Sequence, residues 1–419
     1  MQHQIPVHEI DQFAEPMTQA IEKCVHCGFC LAACPTYAVL GEEMDSPRGR
    51  IYLMKQVLEG NLELDDATPY IDRCLGCLGC EPACPSGVGY GELISPFRSY
   101  ANEKRSHSLL NRLMRLLTLA TLPYPNRLRW AIEFGKIGKL MKPVLPKSLS
   151  APLDLLPDSV PEPVSYEPLY EPIGRRRARV ALLTGCAQQV LAPQINATTI
   201  DVLRHNGVQV IVPSSQGCCG AMAWHVGDHA KATACGRRNF SAFPDPADVD
   251  AIITNAAGCG SGIKEYPLIF GDEAESSIAD AFAEKSMDIS VFLDRLGLVT
   301  PAGFDSIKRV AYQDACHLGN AQGIKQPPRR ILESIPNVEL VELPDGGRCC
   351  GSAGTYNIDQ PEIAAELGRM KAQAVRDATP QADCVATGNI GCLVQIQTYL
   401  ADDQVPVLHI MELLASAYR

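Results

Sequence analysis

Eight cysteines near the amino terminus have the spacing of iron ligands. They form two copies of the motif Cys-x-x-Cys-x-x-Cys-x-x-x-Cys-Pro, which are Cys24, Cys27, Cys30 and Cys34, followed by Cys74, Cys77, Cys80 and Cys84. Where two 4Fe-4S cubanes are bound by this spacing, three thiolates of one motif hold one cubane and the fourth thiolate holds the other. The spacing therefore predicts a first cluster on Cys24, Cys27, Cys30 and Cys84, and a second on Cys74, Cys77, Cys80 and Cys34.

Zinc is the alternative metal for such cysteines. Two Cys-x-x-Cys pairs are enough to bind zinc tetrahedrally. A zinc site gives no reason for a third cysteine at the same interval, or for a Cys-Pro step in both copies. The pattern therefore favours two iron-sulfur clusters, whose chemistry is one-electron transfer.

The remaining cysteines include an internal duplication in the C-terminal part. Cys186 recurs as Cys316, the Cys218-Cys219-Gly220 step recurs at Cys349, and Gly258-Cys259 recurs at Gly391. Adjacent cysteines do not easily form a disulfide with each other. We therefore expect metal ligation in at least one copy, by a third cluster or by zinc, with a structural role as the alternative. The candidate ligands are Cys186, Cys218, Cys219, Cys259, Cys316, Cys349, Cys350 and Cys392.

The elements that must position these repeated cysteines are predicted to be strands alternating with helices. In the first copy, apolar runs precede the cysteines at 179–184, 208–212 and 251–254. In the second copy they lie at 309–313, 338–343 and 384–387, with a helical pattern over 361–378. Such alternation predicts a mostly parallel sheet covered on both faces, with ligands at the carboxyl ends of its strands.

The predicted fold is therefore α+β and multidomain. It comprises a helical two-cluster ferredoxin-like domain (1–105), a basic amphipathic and proline-rich connector (106–178), and two tandem α/β cysteine-rich domains (179–300 and 301–419).

Charge and composition limit the classes of partner. The 419 residues carry 37 basic and 48 acidic side chains, a net charge of -11, which disfavours nucleic-acid binding. Residues 104–147 are the exception, because they hold ten basic side chains against the single acidic Glu133. With leucines at helical spacing, this segment predicts contact with an anionic membrane surface. A basic face packed on the ferredoxin-like region, or docked on an acidic partner, is the alternative.

The amino-terminal residues and the apolar runs bear on location. No run reaches the length of a transmembrane helix, and Met1 to Ile10 lack the apolar core of a secretory signal peptide. We therefore expect the thiols to lie in a reducing compartment. The predicted location is the cytoplasmic side of the inner membrane, with peripheral attachment.

Several longer stretches carry a resemblance to a known family. They include Cys24-Val-His-Cys-Gly-Phe-Cys, Ser46-Pro-Arg-Gly-Arg-Ile-Tyr-Leu-Met-Lys, Cys84-Pro-Ser-Gly-Val and Cys349-Cys-Gly-Ser-Ala-Gly-Thr-Tyr. Over almost its whole length the chain resembles the iron-sulfur subunits of glycolate oxidase (glycolate dehydrogenase). The wider class resembles the cluster-bearing subunits of anaerobic glycerol-3-phosphate dehydrogenase and heterodisulfide reductase.

The resemblance implies an electron-transfer subunit within an oxidoreductase. Partner subunits that bind FAD would oxidise a 2-hydroxy acid such as glycolate, and this chain would pass the electrons through two 4Fe-4S clusters towards a membrane quinone. No catalytic residue is expected in this chain. The sequence supports that division, because we find neither a Gly-x-Gly-x-x-Gly turn nor a P-loop in it.

Two alternative functions remain at this stage. One is a subunit of a related glycerol-3-phosphate or lactate dehydrogenase. The other is a thiol/disulfide redox subunit like that of heterodisulfide reductase. The full motif of the wider class ends in Cys-x-x-Cys. In this chain the first cysteine of that pair is replaced by Ala256 in one copy and by Asn389 in the other. Each copy keeps four thiols, so the five-thiol arrangement expected for disulfide chemistry is incomplete.

Overall fold

The N-terminal part of the computed structural model is helical. The structure describes residues 1–10, 12–105, 109–140, 156–157, 159–271 and 273–418. The first five helices are α1 (Ala14–Lys23), α2 (Pro35–Leu40), α3 (Pro47–Leu58), α4 (Leu64–Asp72) and α5 (Gly91–Lys104). The first two cysteine motifs lie in the turns between these helices.

Helix α3 shows how local sequence positions this region. Pro47 occupies its first turn, where no backbone N–H is needed, and the Ser46 hydroxyl accepts a hydrogen bond from the Gly49 N–H at 3.0 Å. Its apolar residues Ile51 and Met54 are buried in a core that also contains Phe97 of α5. The cap and this packing hold α3 between the two motifs.

Two further helices follow in the basic segment, α6 (Leu109–Thr121) and α7 (Pro125–Leu140). They coincide with the amphipathic pattern predicted over 104–147. Residues 106–108 and 141–147 of that segment, and the prolines between 141 and 155, lie outside the described residues.

The first sheet contains the first set of repeated cysteines. Its strands, in the order β1-β3-β2-β4-β5, are parallel except for the antiparallel edge β1. They are β1 (Leu169–Tyr170), β2 (Ala178–Leu183), β3 (Val208–Ile211), β4 (Ala251–Thr254) and β5 (Ser286–Asp288). The helices are α8 (Gln188–Leu191), α9 (Gln194–His205), α10 (Ala221–His225), α11 (His229–Ala242), α12 (Ala257–Lys264), α13 (Tyr266–Ile269), α14 (Ser276–Lys285) and α15 (Ile289–Leu296).

The second sheet repeats this arrangement. Its four strands are all parallel, in the order β7-β6-β8-β9. They are β6 (Lys308–Gln313), β7 (Val338–Glu342), β8 (Cys384–Thr387) and β9 (Val407–His409). The helices are α16 (Cys316–Gly319), α17 (Gln326–Glu333), α18 (Tyr356–Asp359), α19 (Pro361–Arg376), α20 (Ile390–Tyr399) and α21 (Ile410–Ala417).

Alternate residues of the central strands are buried in different cores. On β2, Ala181 and Leu183 join the core that contains the helical N-terminal part, whereas Val180 and Leu182 join a core shared with Val310 of β6. Both faces of the sheet are thus covered. The predicted fold, a helical cluster-binding part followed by two α/β repeats, is confirmed. Within the described residues, no helix is both long and apolar enough to cross a membrane.

Candidate metal centres

Thiols from both motifs surround a first cavity, which is partly open to solvent. Its walls include Cys24, Cys27 and Cys30 of the first motif and Cys84 of the second. These are the four side chains predicted to hold the first cluster. Cys80 also reaches this cavity.

A second cavity, also partly open to solvent, lies beside the first. Cys74, Cys77 and Cys80 line it together with Cys34, the fourth cysteine of the first motif. These are the four side chains predicted to hold the second cluster. Since Cys80 lines both cavities, they are separated by little more than one side chain.

Backbone and side-chain groups near the motifs bring hydrogen-bond donors close to the cysteine sulfurs. Gly28 has a φ of +85°, and an added Cβ there would lie 2.7 Å from the Arg48 guanidinium. The Gly76 N–H donates to Cys74 Sγ at 3.4 Å, and the Tyr90 hydroxyl donates to the same sulfur at 3.8 Å. Such hydrogen bonds to cluster sulfurs favour the more negative reduced state.

The two prolines of the motifs have a structural role that the sequence suggests. Cys34 is the N-cap of α2 and Pro35 is its first residue, so the chain turns into a helix directly after the fourth thiol. Pro85 follows Cys84 and lines the first cavity, but the chain enters a turn there, and α5 begins only at Gly91.

Burial makes both cavities poor environments for bare thiolates. It raises the pKa of the Cys30 thiol to about 11, and it also raises the pKa of the Cys24 and Cys34 thiols. A coordinating metal removes the thiol proton despite such burial, because its positive charge stabilises the thiolate.

The donor set fits cubane clusters. Four cysteines line the second cavity and five line the first, which shares Cys80 with it, and thiolates are the ligands that iron-sulfur clusters prefer. Across the described part of the chain, no group of three or more His, Cys, Asp or Glu side chains is arranged to bind a single metal ion.

The repeated cysteines also come together, four in each copy. In the first copy the Cys218 thiol is hydrogen-bonded to Cys186 and Cys219, and Cys219 also contacts Cys259. Thiol donors around Cys218 lower its pKa well below the usual value.

The second copy has the same arrangement of thiols. The Cys316 and Cys349 sulfurs are 3.9 Å apart, and Cys350 is hydrogen-bonded to Cys349 and Cys392. The hydrogen bonds from its neighbours lower the pKa of Cys350, as they do for Cys218 in the first copy. Each predicted set of four is thus a chain of contacting sulfurs.

Asn389 occupies the position of the missing fifth cysteine in the second copy. Its side-chain Nδ2 donates to Cys392 Sγ at 3.4 Å, and its side-chain Oδ1 accepts from the Gly258 N–H at 3.2 Å. It therefore links the cysteine segments of the two copies through a polar group that is not a thiol.

Two contacts between cysteines are not predicted by any spacing pattern in the sequence. Cys235, which lies outside the repeat, is hydrogen-bonded to Cys218 and so extends the first set. In the N-terminal part, Cys77 of the second cavity is hydrogen-bonded to Cys349 of the second repeat. The second cavity therefore adjoins the thiols of the second repeat.

Comparisons with known proteins agree with this geometry. The pattern of the 4Fe-4S dicluster domain family matches residues 20–88, and that of the cysteine-rich domain family matches residues 180–264 and 310–397. The chain is thus an iron-sulfur protein that joins a dicluster domain to paired cysteine-rich domains. Its cofactors include two 4Fe-4S clusters, as the spacing predicts, whereas the ligand set of each cluster stays a prediction.

Full-length relatives define the family more closely. The chain is 36% identical to the "Probable glycolate oxidase iron-sulfur subunit" of Bacillus subtilis (strain 168), over 97% of this chain and 96% of the relative. It is 35% identical to the glycolate oxidase iron-sulfur subunit of Escherichia coli (strain K12), over 95% and 94%. The lactate utilization protein A of Oceanobacillus iheyensis is 32% identical, over 56% of this chain and 96% of the relative. The chain belongs to the family of glycolate oxidase iron-sulfur subunits.

Proposed function

We propose that this chain is the electron-transfer subunit of a multi-subunit glycolate dehydrogenase. Partner subunits that bind FAD oxidise glycolate, and this chain passes the electrons one at a time towards a membrane quinone. The observation that carries the proposal is the pair of adjacent cavities, each lined by thiols from both motifs and each containing the four predicted ligands of one cluster. Relatives that match almost the whole chain are glycolate oxidase subunits, whereas the lactate utilization relative matches 56% of it.

The grouping of the thiols around the two cavities supports the proposed ligands. Cys24, Cys27, Cys30 and Cys84 hold one cluster, and Cys74, Cys77, Cys80 and Cys34 hold the other. When bound, the clusters would supply two one-electron redox centres in adjacent cavities. The chain's own residues bind them, exclude water with Ile51 and Tyr90, and donate hydrogen bonds to the sulfurs.

The crossed assignment is tested with two serine variants. Cys84→Ser and Cys34→Ser each remove the thiol that one motif lends to the other cavity. In anaerobically purified full-length protein, we expect each variant to lose about four iron atoms per chain, with a different paramagnetic signal lost in each. Cys384→Ser, in buried strand β8, is the matched control and should keep both signals. If Cys84→Ser and Cys34→Ser removed the same signal, the crossed assignment would be wrong.

The repeats are proposed to hold a further metal in at least one copy. Each set of four contacting thiols offers the ligands for one cluster, whereas zinc would require the thiols to rearrange, because no group among the described residues is arranged for a single ion. Elemental analysis of the purified chain distinguishes the two, since about twelve irons indicate a third cluster and zinc beside eight irons indicates a zinc site. Eight irons without zinc would leave the thiols a structural role and contradict the proposal.

Reconstitution tests the partners and the substrate. We expect the isolated chain to be inert towards glycolate, and flavin-containing partner subunits to restore quinone reduction. Comparing glycolate with lactate and glycerol 3-phosphate in the same complex separates the related dehydrogenases. Glycolate oxidation by this chain alone would contradict its role as a relay.

Helices α6 and α7 provide the proposed contact with the cytoplasmic face of the inner membrane. They expose large apolar side chains in a basic segment: Leu116 of α6 is 62% exposed, and Trp130 and Phe134 of α7 are each 67% exposed. Aromatic rings beside cations suit the interface of an anionic bilayer. Side chains of 106–112 and residues 141–147 lie outside the described part.

A flotation assay on the assembled complex tests this contact. With anionic vesicles at low salt, we expect the wild type to float and the double variant Trp130→Ser/Phe134→Ser to float less. The control is Val164→Ser, an exposed apolar residue outside both helices. Absence of wild-type binding would eliminate the membrane contact and leave an acidic partner as the occupant of the basic face.

A further inference from the structure

Two arginines of helix α3 reach different cavities. Residues two apart on a helix point ~200° away from each other. Arg48 lines the first cavity, whereas Arg50 lines the second. The segment Ser46-Pro47-Arg48-Gly49-Arg50 therefore places one guanidinium at each predicted cluster.

Arg50 is held entirely inside the protein. Its side chain is 1% exposed, and its Nη1 lies 3.9 Å from Cys34 Sγ and donates to Thr36 Oγ1 at 3.0 Å. Its Nε donates to the Tyr70 carbonyl at 2.7 Å. One guanidinium thus ties the crossing thiol of the first motif to the helix that precedes the second motif.

The charge around Arg50 is not balanced. Arg50 Nη2 lies 3.1 Å from one oxygen of Asp45, and Arg73 Nη1 lies 2.7 Å from the other. Asp45 is fully buried. Two cations therefore share one carboxylate, which leaves a net positive charge beside the second cavity.

Arg48 differs in both respects. It makes two hydrogen bonds to the Glu43 carboxylate, at 2.8 and 3.0 Å, so that its charge is matched. Its side chain is 30% exposed, and water screens the charges of such a pair. We therefore expect its electrostatic effect on the first cavity to be weaker than that of Arg50 on the second.

A buried positive charge stabilises the reduced form of a cluster, because reduction adds a negative charge. We propose that Arg50 raises the reduction potential of the cluster on Cys34, Cys74, Cys77 and Cys80, and that its effect on the other cluster is smaller. The proposal rests on the ligand assignment made under the proposed function. Arg50 is a positioning residue, since it contacts a ligand's sulfur and acts through its charge.

An anaerobic redox titration followed by electron paramagnetic resonance tests this. The signals are first assigned to the two cavities with Cys34→Ser and Cys84→Ser. In Arg50→Met we expect the midpoint potential of the second cluster to shift to more negative values while the first stays near its wild-type value. Arg50→Lys keeps the charge, so the midpoint potential of the second cluster should stay close to its wild-type value.

A second variant guards against misfolding of Arg50→Met. Arg73→Met removes the other cation and leaves Arg50 in place, so a smaller shift of the same sign is expected in the same cluster. Arg105→Met is the matched control, because this arginine of the same domain pairs with Asp72 and lines neither described cavity.

The outcomes separate this inference from the proposed function. If both signals are present and neither Arg50→Met nor Arg73→Met moves the second cluster selectively, the role of Arg50 is wrong and the relay function stands. If the wild-type protein carries no clusters, the ligand assignment fails and this inference fails with it.

Discussion

At the scale of single residues, buried His409 makes the stability of the second repeat depend on pH. It is the N-cap of α21, where its Nδ1 accepts from the Met411 N–H at 3.2 Å and its Nε2 donates to the Asn255 carbonyl at 2.9 Å. Burial lowers the pKa of His409 to about 4. A proton on Nδ1 would break the cap and place a charge in the core.

The sign of this dependence follows from the two pKa values. The pKa in the folded chain lies below the unfolded value of about 6.5, so the stabilisation is complete above that pH and is lost as the pH falls towards 4. We expect His409 to lower the free energy of unfolding by up to about 1.4 kcal/mol per pH unit within this window. Urea unfolding at pH 7.5 and 5.5 measures it. His409→Asn keeps a cap acceptor without the titration, and an equal pH dependence in both proteins would contradict the prediction.

The same scale shows which residues the sequence can identify. The crossing thiols Cys34 and Cys84 are predictable because their spacing is local and repeated. Cys235 is not, because it reaches Cys218 only through the packing of α11 on α10. The contact of Cys77 with Cys349 joins residues of two domains, and no spacing rule encodes it.

At the scale of elements, the cap of α3 positions both cavity-facing arginines. Ser46 is fully buried, and its hydroxyl satisfies the Gly49 N–H. We expect Ser46→Ala to reduce the free energy of unfolding by about 1 to 2 kcal/mol, because that donor would be left unpaired. Ser46→Thr should retain most of the stability. Thermal unfolding of the two variants checks the cap, and equal losses in both would point to packing instead.

The turn between α10 and α11 depends on a glycine. Gly227 has a φ of +78°, and a Cβ there would lie 2.3 Å from the Arg98 carbonyl oxygen and 2.9 Å from the Ser99 nitrogen of α5. Backbone cannot move aside as a flexible side chain can. We expect Gly227→Ala to lower the free energy of unfolding by about 2 to 4 kcal/mol, from backbone strain and overpacking together.

Gly174→Ala provides the comparison for that substitution. Gly174 has nearly the same φ, +80°, but an added Cβ would have no atom within 4 Å. It should lose only the strain component, about 1 kcal/mol. Chemical denaturation of both variants separates strain from the clash with α5, and equal losses would show that the contact with α5 does not matter.

Elements also differ in how well the sequence predicts them. The central strands β2, β4, β6 and β8, of four or six residues each, coincide with the apolar runs of the sequence, and the bounds of each agree with the prediction to within one residue. The edge strands β5 and β9 have three residues each, which is too short for a pattern to distinguish them from the loop before a helix.

At the scale of the whole molecule, the N-terminal part is docked on both repeats. On the first repeat, Trp224 packs against Phe13 of the N-terminal part, with ring centroids 5.3 Å apart. On the second repeat, the Tyr356 hydroxyl donates to the Arg73 carbonyl at 2.7 Å, and the Asn320 amide donates to the Cys77 carbonyl at 3.1 Å. The backbone that carries the second cavity is therefore held directly by the second repeat.

Arg98 of α5 binds carbonyls on both sides of this docking surface. Its Nη1 donates to the His225 carbonyl at 2.9 Å, and its Nη2 donates to the carbonyls of Ile71 and Cys74 at 2.9 and 2.5 Å. Hydrogen bonds from a charged donor contribute about 1.5 to 3 kcal/mol each, so Arg98→Met should lower the free energy of unfolding by about 2 to 4 kcal/mol once relaxation is allowed for.

Because Arg98 joins two domains, its loss should also loosen their contact before the domains unfold. We expect amide hydrogen exchange to accelerate in α5 and in the turn after His225, while exchange in strands β6 and β8 stays at its wild-type rate. Arg105→Met, at the end of the same helix, removes a pair with Asp72 inside the N-terminal part and should leave the turn after His225 protected. If exchange in Arg98→Met accelerated uniformly in all domains, Arg98 would support only the global stability of the chain and not the contact between the domains. The docking would then be maintained by the apolar contact of Phe13 with Trp224.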